Sequence, residues 1–250
     1  MFIDTHCHLT YEYDDDINTI IARAKNAGVG ALICATANPK DINGALRIAN
    51  DYDNIFVTTG IHPEYTNTNP NDYLTDEILN NSHVIGIGEI GLDYHYGNQT
   101  RDAQIKLFES QLQIAYEHNM PIAVHTRDAE DDTKAILTDK FHGVMHCFTS
   151  GWDLARTMLD RGFYFSASGI ITFKNSESVR ETFAKIPIDR IVIETDSPYC
   201  APVPYRGRKC EPSMVIETAK VVANIKNLQL DELEEILYKN TKTLYPKIEC

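Results

Sequence analysis

Six side chains of metal-binding type stand where short apolar runs of the sequence end. His6 and His8 end the first run, and because they are two residues apart on a strand, both face the same side while Cys7 faces away. Four more follow later runs: Glu89, His125, His146 and Asp196. Imidazoles and carboxylates together suit zinc, manganese or similar divalent ions, and magnesium is possible where carboxylates and water dominate. Six such ligands suffice for two divalent metal ions.

Any one of these residues could have a purely structural role, since a lone histidine near a strand end is more often satisfied by its surroundings. The whole set is different. Burying so many ionisable groups together without a cation would cost several kilocalories per mole of desolvation. The set therefore predicts a metal centre.

The elements that must position these residues alternate along the chain. Short β-branched runs are each followed by a segment with helical periodicity, which is typical of parallel βαβ units. The predicted strands span residues 2–6, 30–35, 55–60, 84–89, 121–125, 143–146, 164–167 and 190–194. The predicted helices span residues 17–27, 41–51, 72–80, 101–118, 132–140, 153–161, 178–185 and 213–225. Eight of each predict an α/β fold, the (β/α)₈ TIM barrel, whose strand ends form one mouth.

The helix predicted over 101–118 has the clearest apolar stripe, made by Ile105, Phe108, Leu112 and Ala115 at three- and four-residue steps. A further amphipathic helix is predicted over 230–238, followed by Asn240, as a cap on the same barrel. The chain shows no internal repeat or flexible linker. We therefore expect one TIM-barrel domain over residues 1–250.

Length and composition agree with this interpretation. An α/β barrel needs about 250 residues, and 43% hydrophobic with 24% charged residues is ordinary for a globular protein. No signal peptide is evident and no apolar run approaches the roughly 20 residues of a membrane span, so we expect a cytoplasmic or nuclear protein without membrane contact. Six cysteines lack paired spacing and are expected to be reduced thiols: Cys7, Cys34, Cys147, Cys200, Cys210 and Cys250.

The formal net charge of −13 disfavours non-specific binding to nucleic acid or an anionic membrane, because phosphate binding usually relies on a basic surface. Charge alone favours a small or neutral substrate.

Six segments of the chain, in order and spread along nearly its whole length, carry a family resemblance. They span residues 4–9, 60–63, 86–94, 121–127, 146–148 and 194–199. With these segments the sequence resembles the TatD family of metal-dependent deoxyribonucleases, within the amidohydrolase-like barrels. The ordered series is far more specific than any single His-x-His pair.

The resemblance implies roles for the six residues. His6, His8 and Asp196 would hold one metal, His125 and His146 the other, and Glu89 would bridge both in place of the modified lysine of related amidohydrolases. Two such metals lower the pKa of a shared water from about 15.7 towards about 7 and clamp the oxygens of a phosphodiester. Asp196, with Glu89 in the catalytic set, would orient that water as general base.

The resemblance also implies how an acidic protein could bind DNA. The metals would neutralise phosphate locally, helped by Arg127 and by a basic cluster in the loop after the eighth strand: Arg206, Arg208 and Lys209. His62 and Tyr94 are further candidates for substrate binding. One departure is Cys210, which stands where the family usually has asparagine.

Three hypotheses follow. The first is a metal-dependent deoxyribonuclease that trims single-stranded DNA or exposed 3′ ends as a 3′–5′ exonuclease, expected to be a monomer. The second is a hydrolase of a small ester, amide or phosphoester on the same metals, which the acidic charge favours and which a shared fold permits. The third is a binding or scaffold protein with a vestigial barrel, whose expected sign is a missing ligand; all six are present.

Overall fold

The computed structural model describes residues 1–95 and 99–248. Eight parallel strands form one sheet in chain order, and each strand pairs with the next. The strands β1 to β8 span Phe2–Cys7, Val29–Ala35, Ile55–Thr59, Val84–Asp93, Ile122–Arg127, Gly143–Met145, Tyr164–Ala167 and Ile191–Ile193. The chain after β8 returns to β1, where the His8 amide donates to the Ser197 carbonyl at 2.8 Å. The predicted (β/α)₈ TIM barrel is confirmed.

Helices follow the strands on the outside of the barrel. In the described residues, α1 to α9 span Ile17–Asn26, Ile42–Asn50, Asp76–Leu79, Arg101–Glu117, Glu130–Ile136, Trp152–Asp160, Glu177–Lys185, Val215–Lys226 and Leu230–Leu244. On α4, Phe108, Leu112 and Ala115 are buried as predicted, and Ile105 is half-buried against the core. None of the described helices combines the length and the apolar character needed to cross a bilayer.

Several element ends differ from the prediction. Helix α5, predicted over residues 132–140, spans Glu130–Ile136. Helix α3 is a single turn, and β4 continues four residues past Glu89 because its second half pairs with β5, from Ile90 with Val124 to Asp93 with Arg127. Helix α9 runs on to Leu244 instead of ending at residue 238. Asn240 does not end the helix, because its side-chain amide binds the neighbouring strand region. This amide donates to the backbone carbonyls of Ile188 and Ile191, before and at the start of β8, at 2.8 and 2.7 Å.

The two ends of the barrel differ in character. At the amino-terminal end, buried apolar side chains from the strands, such as Ile33, Phe56 and Ile85, pack with Leu244 and Tyr245 from the end of α9. This apolar plug, made by the strands and the segment that ends α9, fills the barrel interior. The polar residues that end the strands lie at the opposite, carboxyl-terminal mouth.

The five described cysteines are free thiols, as expected from their spacing. Cys250 lies outside the described residues.

Candidate active site

A cavity of ≈ 650 Å³ lies at the carboxyl-terminal mouth of the barrel. Five of the six predicted metal ligands line it: His8, Glu89, His125, His146 and Asp196. The sixth, His6, is buried at its floor, where its ring stacks on His146 with centroids 3.7 Å apart. Side chains separated by up to 190 positions along the chain thus share one polar cluster.

Glu89 lies at the centre of this cluster, and its two carboxylate oxygens face different histidines. Oε1 lies 2.8 Å from His125 Nδ1 and 3.3 Å from His146 Nε2. Oε2 lies 3.5 Å from His6 Nε2 and 3.8 Å from His8 Nε2. One oxygen therefore belongs to each histidine pair, which is the arrangement that a carboxylate bridging two cations requires.

Close backbone packing places Glu89 inside the mouth. The Glu89 amide donates to the Thr36 carbonyl at 3.0 Å, which ties β4 to the end of β2. A Cβ atom at Gly60 would lie 2.5 Å from the carbonyl carbon of Gly88, closer than side chains are found to pack. Only glycine at position 60 lets β3 and β4 approach this closely.

Three of the histidines use their second ring nitrogen to contact another group of the protein. His125 Nε2 lies 3.1 Å from Asp93 Oδ2, and His146 Nδ1 lies 2.9 Å from Glu194 Oε1. His8 Nδ1 lies 3.0 Å from the backbone carbonyl that ends β2. In each ring one nitrogen is thus engaged by the protein while the other faces Glu89, which is how metal-binding histidines are commonly oriented.

The electrostatics of the cluster depend on these ion pairs. Burial by itself would raise the pKa of Glu89. The surrounding histidines, chiefly His146, outweigh burial and hold the pKa of Glu89 well below its usual range. For His125, burial is likewise outweighed by Asp93 and Glu89, which raise its pKa to about 9. Without a cation, protons on the imidazoles therefore balance the buried carboxylates. Divalent ions would take over this role when they displace those protons.

His6 provides a test of whether the residues fit metal ions. Burial and the neighbouring His146 lower the pKa of His6, which keeps its ring neutral. Its buried Nε2 atom faces Glu89 and makes no hydrogen bond within the described parts of the chain. A buried polar nitrogen without a partner costs free energy unless something else binds it. A neutral imidazole nitrogen aimed at a carboxylate is suited to a metal ion, so the donor set fits.

Asp196 adjoins this cluster from the loop after β8. Its Oδ1 lies 3.4 Å from His8 Nε2. Although burial raises its pKa, His8 and His146 outweigh burial and lower it, so Asp196 is ionised. Its backbone has φ 56°, and the nearby Cys147 and Cys200 have φ 41° and 53°. Non-glycine residues in this left-handed region are strained by about 1–3 kcal/mol each, and such strain is concentrated at functional sites.

The four predicted substrate-binding residues do not all lie in the cavity. His62 and Arg127 line it, and His62 Nε2 lies 3.8 Å from Glu89 Oε1. Tyr94 lies in a neighbouring surface depression, where its hydroxyl donates to Asp132 Oδ2 at 2.7 Å. Arg206 projects away and lies over the Phe173 ring, 3.8 Å from its centroid.

Two positioning glutamines were missed at the sequence level. Gln111 on α4 is buried, accepts a hydrogen bond from the Ile61 amide at 2.8 Å and donates to the Ile61 carbonyl at 3.0 Å. Gln104 makes the same paired contact with the backbone of Asp93, at 2.8 Å in both directions. They fix the chain next to His62 and the end of β4. Their spacing of seven residues, on the face of a helix that is otherwise apolar, was the available signal.

Asp93 and Glu194 were also missed as functional residues, although both lie inside the motif segments. Nothing in a strand pattern says which carboxylate lies behind a histidine of another strand. The partners of His125 and His146 depend on how the strands pair, so they could not be assigned before the fold was known.

Comparison with known proteins agrees with this geometry. Residues 3–246 match the family described as TatD related DNase. The chain is 36% identical to the metal-dependent hydrolase YabD of Bacillus subtilis, over 98% of this chain and 99% of that one. It is 31% identical to Deoxyribonuclease Tat-D of Schizosaccharomyces pombe, over 96% of this chain and 90% of that one. The crystal structure of YjjV, a TatD homolog from Escherichia coli, superposes with a TM-score of 0.89 at 26% identity and covers 98% of both chains. The chain belongs to the TatD family of metal-dependent hydrolases.

Proposed function

We propose that this protein is a deoxyribonuclease that hydrolyses phosphodiester bonds with two divalent metal ions, Mg²⁺, Mn²⁺ or Zn²⁺. The observation that carries the proposal is that the two carboxylate oxygens of Glu89 face different histidine pairs. Oε1 faces His125 and His146, whereas Oε2 faces His6 and His8. The similarity to the deoxyribonuclease of Schizosaccharomyces pombe supports DNA as the substrate.

In this proposal His6, His8 and Asp196 would hold one ion, His125 and His146 would hold the other, and Glu89 would serve both. When bound, such a pair supplies Lewis-acid stabilisation of a phosphodiester and a water of lowered pKa. The rest of the reaction depends on the protein's own side chains.

Asp196 is the proposed general base. It is ionised, it lines the cavity, and its Oδ1 faces the histidine cluster, so it can accept the proton of the attacking water. A positioned general base contributes about 10²- to 10⁴-fold in rate. Arg127 lines the same cavity and can bind a non-bridging phosphate oxygen, while His62, near Glu89, can orient the leaving group. This local set removes the need for a basic surface in a protein of net charge −13.

Two tyrosines at the rim support a single-stranded substrate. Tyr199 lines the cavity and is 55% exposed, and its ring meets Tyr11 edge-on with centroids 6.1 Å apart. Tyr11 in turn stacks on His8, with centroids 4.8 Å apart. A ring in this position can stack on an unpaired base, whose faces a duplex would cover.

The shape of the cavity supports action at chain ends. Its floor is closed because the apolar plug fills the barrel below, so a strand can enter the cavity but cannot thread through it. We therefore propose exonuclease activity, with the 3′–5′ polarity that the family resemblance implies. We also propose a cytoplasmic monomer; size-exclusion chromatography with light scattering would test the oligomeric state.

The test is cleavage of 5′-labelled single-stranded and duplex DNA by metal-stripped protein with Mg²⁺, Mn²⁺ or Zn²⁺ restored. Asp196→Asn should lower the rate by about 10²- to 10⁴-fold. Asp160→Asn, at an exposed carboxylate at the end of α6, is the matched control and should leave the rate unchanged. Metal content of each variant is measured alongside, because Asp196 is also a proposed ligand.

The product pattern decides among the finer proposals. A 3′–5′ exonuclease gives a descending ladder of labelled fragments, which a blocked 3′ end abolishes. Early release of labelled mononucleotide would refute this polarity. Intact DNA in the presence of bound metal would refute the nuclease altogether.

The second candidate is a hydrolase of a small ester, amide or phosphoester. The observation that favours it is the acidic cavity wall, in which Glu64 and Asp93 stand beside Glu89 and Asp196 and would repel a polyanion. A substrate screen in which a small molecule is turned over far faster than any DNA would establish it.

A further inference from the structure

Two free thiols meet on the side of Asp196 that faces away from His8. Cys147 lies two residues after the end of β6, and Cys200 lies in the loop after β8. Cys200 Sγ lies 3.5 Å from Asp196 Oδ2, and ligand atoms of Cys147, Asp196 and Cys200 all lie within 4.8 Å of one another. The two oxygens of Asp196 thus face different surroundings, with Oδ1 towards the histidines and Oδ2 towards the thiols.

This cluster has the size and chemistry of a site for a soft cation. Ligands of a tetrahedral ion with metal–sulfur bonds of about 2.3 Å lie about 3.8 Å apart, close to the spacing found here. Both cysteines line the ≈ 650 Å³ cavity, so an ion from solvent can reach them. Thiolates select Zn²⁺ and similar ions over Mg²⁺ and Mn²⁺, which prefer oxygen ligands.

We propose that Cys147, Cys200 and Asp196 Oδ2 bind a thiophilic divalent cation such as Zn²⁺ or Cd²⁺, at a site distinct from the two-metal centre around Glu89. Each thiol releases its proton to solvent as the ion binds. A cation on Oδ2 withdraws electron density from the carboxylate that the reaction needs as a base. Binding at this thiol site therefore inhibits hydrolysis.

The binding test uses Cd²⁺ as the probe, added to protein saturated with Mg²⁺ under reducing conditions. Cadmium bound by thiolate absorbs in the ultraviolet through charge transfer, whereas cadmium bound by imidazole and carboxylate alone does not. One equivalent of Cd²⁺ should produce the band in the wild-type protein. Mutation of a residue that only hydrogen-bonds to a metal ligand lowers metal affinity by about 10- to 100-fold. Cys200→Ser removes a ligand itself, so it should weaken Cd²⁺ binding by about 100-fold or more.

Two further variants keep the binding test decisive. Cys147→Ser should lose the band in the same way. Cys34→Ser is the matched control, because Cys34 is a buried thiol in β2 outside the cluster and its replacement should leave the band intact. Circular dichroism confirms that each variant is folded.

The inhibition test rests on the proposed function and is kept separate from binding. With Mg²⁺ saturating, Cd²⁺ should inhibit hydrolysis by the wild type. Cys200→Ser should lose this inhibition at the same Cd²⁺ concentration, with each protein compared to its own rate in Mg²⁺ alone. Because the absorbance band needs no hydrolysis, failure of the nuclease proposal would leave the binding result intact. A band that persists in both cysteine variants would overturn the thiol site. So would the absence of any band in the wild-type protein under the same reducing conditions.

Discussion

Replacing Glu194 by glutamine would isolate the electrostatic support of His146, one of the proposed metal-binding histidines. Glu194 is buried, and its Oε1 both accepts a hydrogen bond from the Cys147 amide at 2.8 Å and lies 2.9 Å from His146 Nδ1. Glutamine has the same shape and retains a carbonyl oxygen that can make both contacts. Glu194→Gln therefore removes the charge while the local geometry is preserved.

The direction of the effect follows from this close ion pair. Burial lowers the pKa of His146, but the charges of Glu194 and Glu89 outweigh burial and raise it well above its usual value. Removing the charge of Glu194 should therefore lower the pKa of His146 in the metal-free variant. In the metal-bound protein the less basic imidazole should weaken metal binding by about 10- to 100-fold.

The assay is Mn²⁺ binding by competition with a chelator, together with a pH titration of the His146 ring by NMR in the metal-free protein. Glu181→Gln, at an exposed glutamate on α7, is the matched control and should change neither measurement. If Glu194→Gln leaves both the Mn²⁺ affinity and the His146 pKa at wild-type values, Glu194 does not act through the charge of its carboxylate and the argument fails.

Four other outcomes follow from the structure. Tyr199→Ala should raise KM for single-stranded DNA by about 5- to 150-fold through lost base stacking, whereas Tyr199→Phe should not; equal KM values would exclude stacking. Burial lowers the pKa of His125 but its carboxylate partners raise it to about 9, from 6.5. Because the pKa of His125 is higher in the folded than in the unfolded protein, the ion pairs of His125 stabilise the metal-free fold fully below pH 6.5. This stabilisation is lost as pH rises through about 9, and thermal melting with a chelator across this range would detect the loss. Over the same range Mn²⁺ affinity should rise, by up to about tenfold per pH unit for each displaced proton, and a flat profile would contradict this. Asn240→Ala leaves two backbone carbonyls near β8 without their donor and should cost about 2–4 kcal/mol in the free energy of unfolding. Lys239→Ala, on the exposed side of α9, should cost little in the same denaturant titration, and equal losses would refute the anchoring role.

The elements were predictable where local periodicity is strong. Buried strands such as β2 and β3 are apolar throughout, and α4 has an apolar face that repeats every three to four residues. Prediction was weaker at element ends, as the longer β4 and α9 illustrate. In both cases the end is set by a partner distant in sequence: β4 continues because β5 pairs with it, and α9 continues because Asn240 bonds to the backbone near β8.

Candidate substrate residues were harder to place in the cavity than the candidate metal ligands. A candidate ligand such as His125 lies near a strand end, and the barrel brings all strand ends to one mouth. Tyr94 and Arg206 belong to loops, whose direction the strand pattern does not fix, and the structure directs them to Asp132 and Phe173 instead of the cavity.

By itself, the sequence determined the type of barrel and the six side chains that converge at its mouth, because hydrophobic periodicity and chain order suffice to place strand ends in a parallel barrel. Only the tertiary structure decided which atoms meet. Three features join residues from different parts of the barrel. They are the two Glu89 oxygens that face different histidine pairs, the carboxylates that contact His125 and His146, and the thiols next to Asp196 Oδ2. Such contacts depend on strand register and side-chain direction, which are set by packing across the whole barrel and are not encoded in any local stretch of the chain.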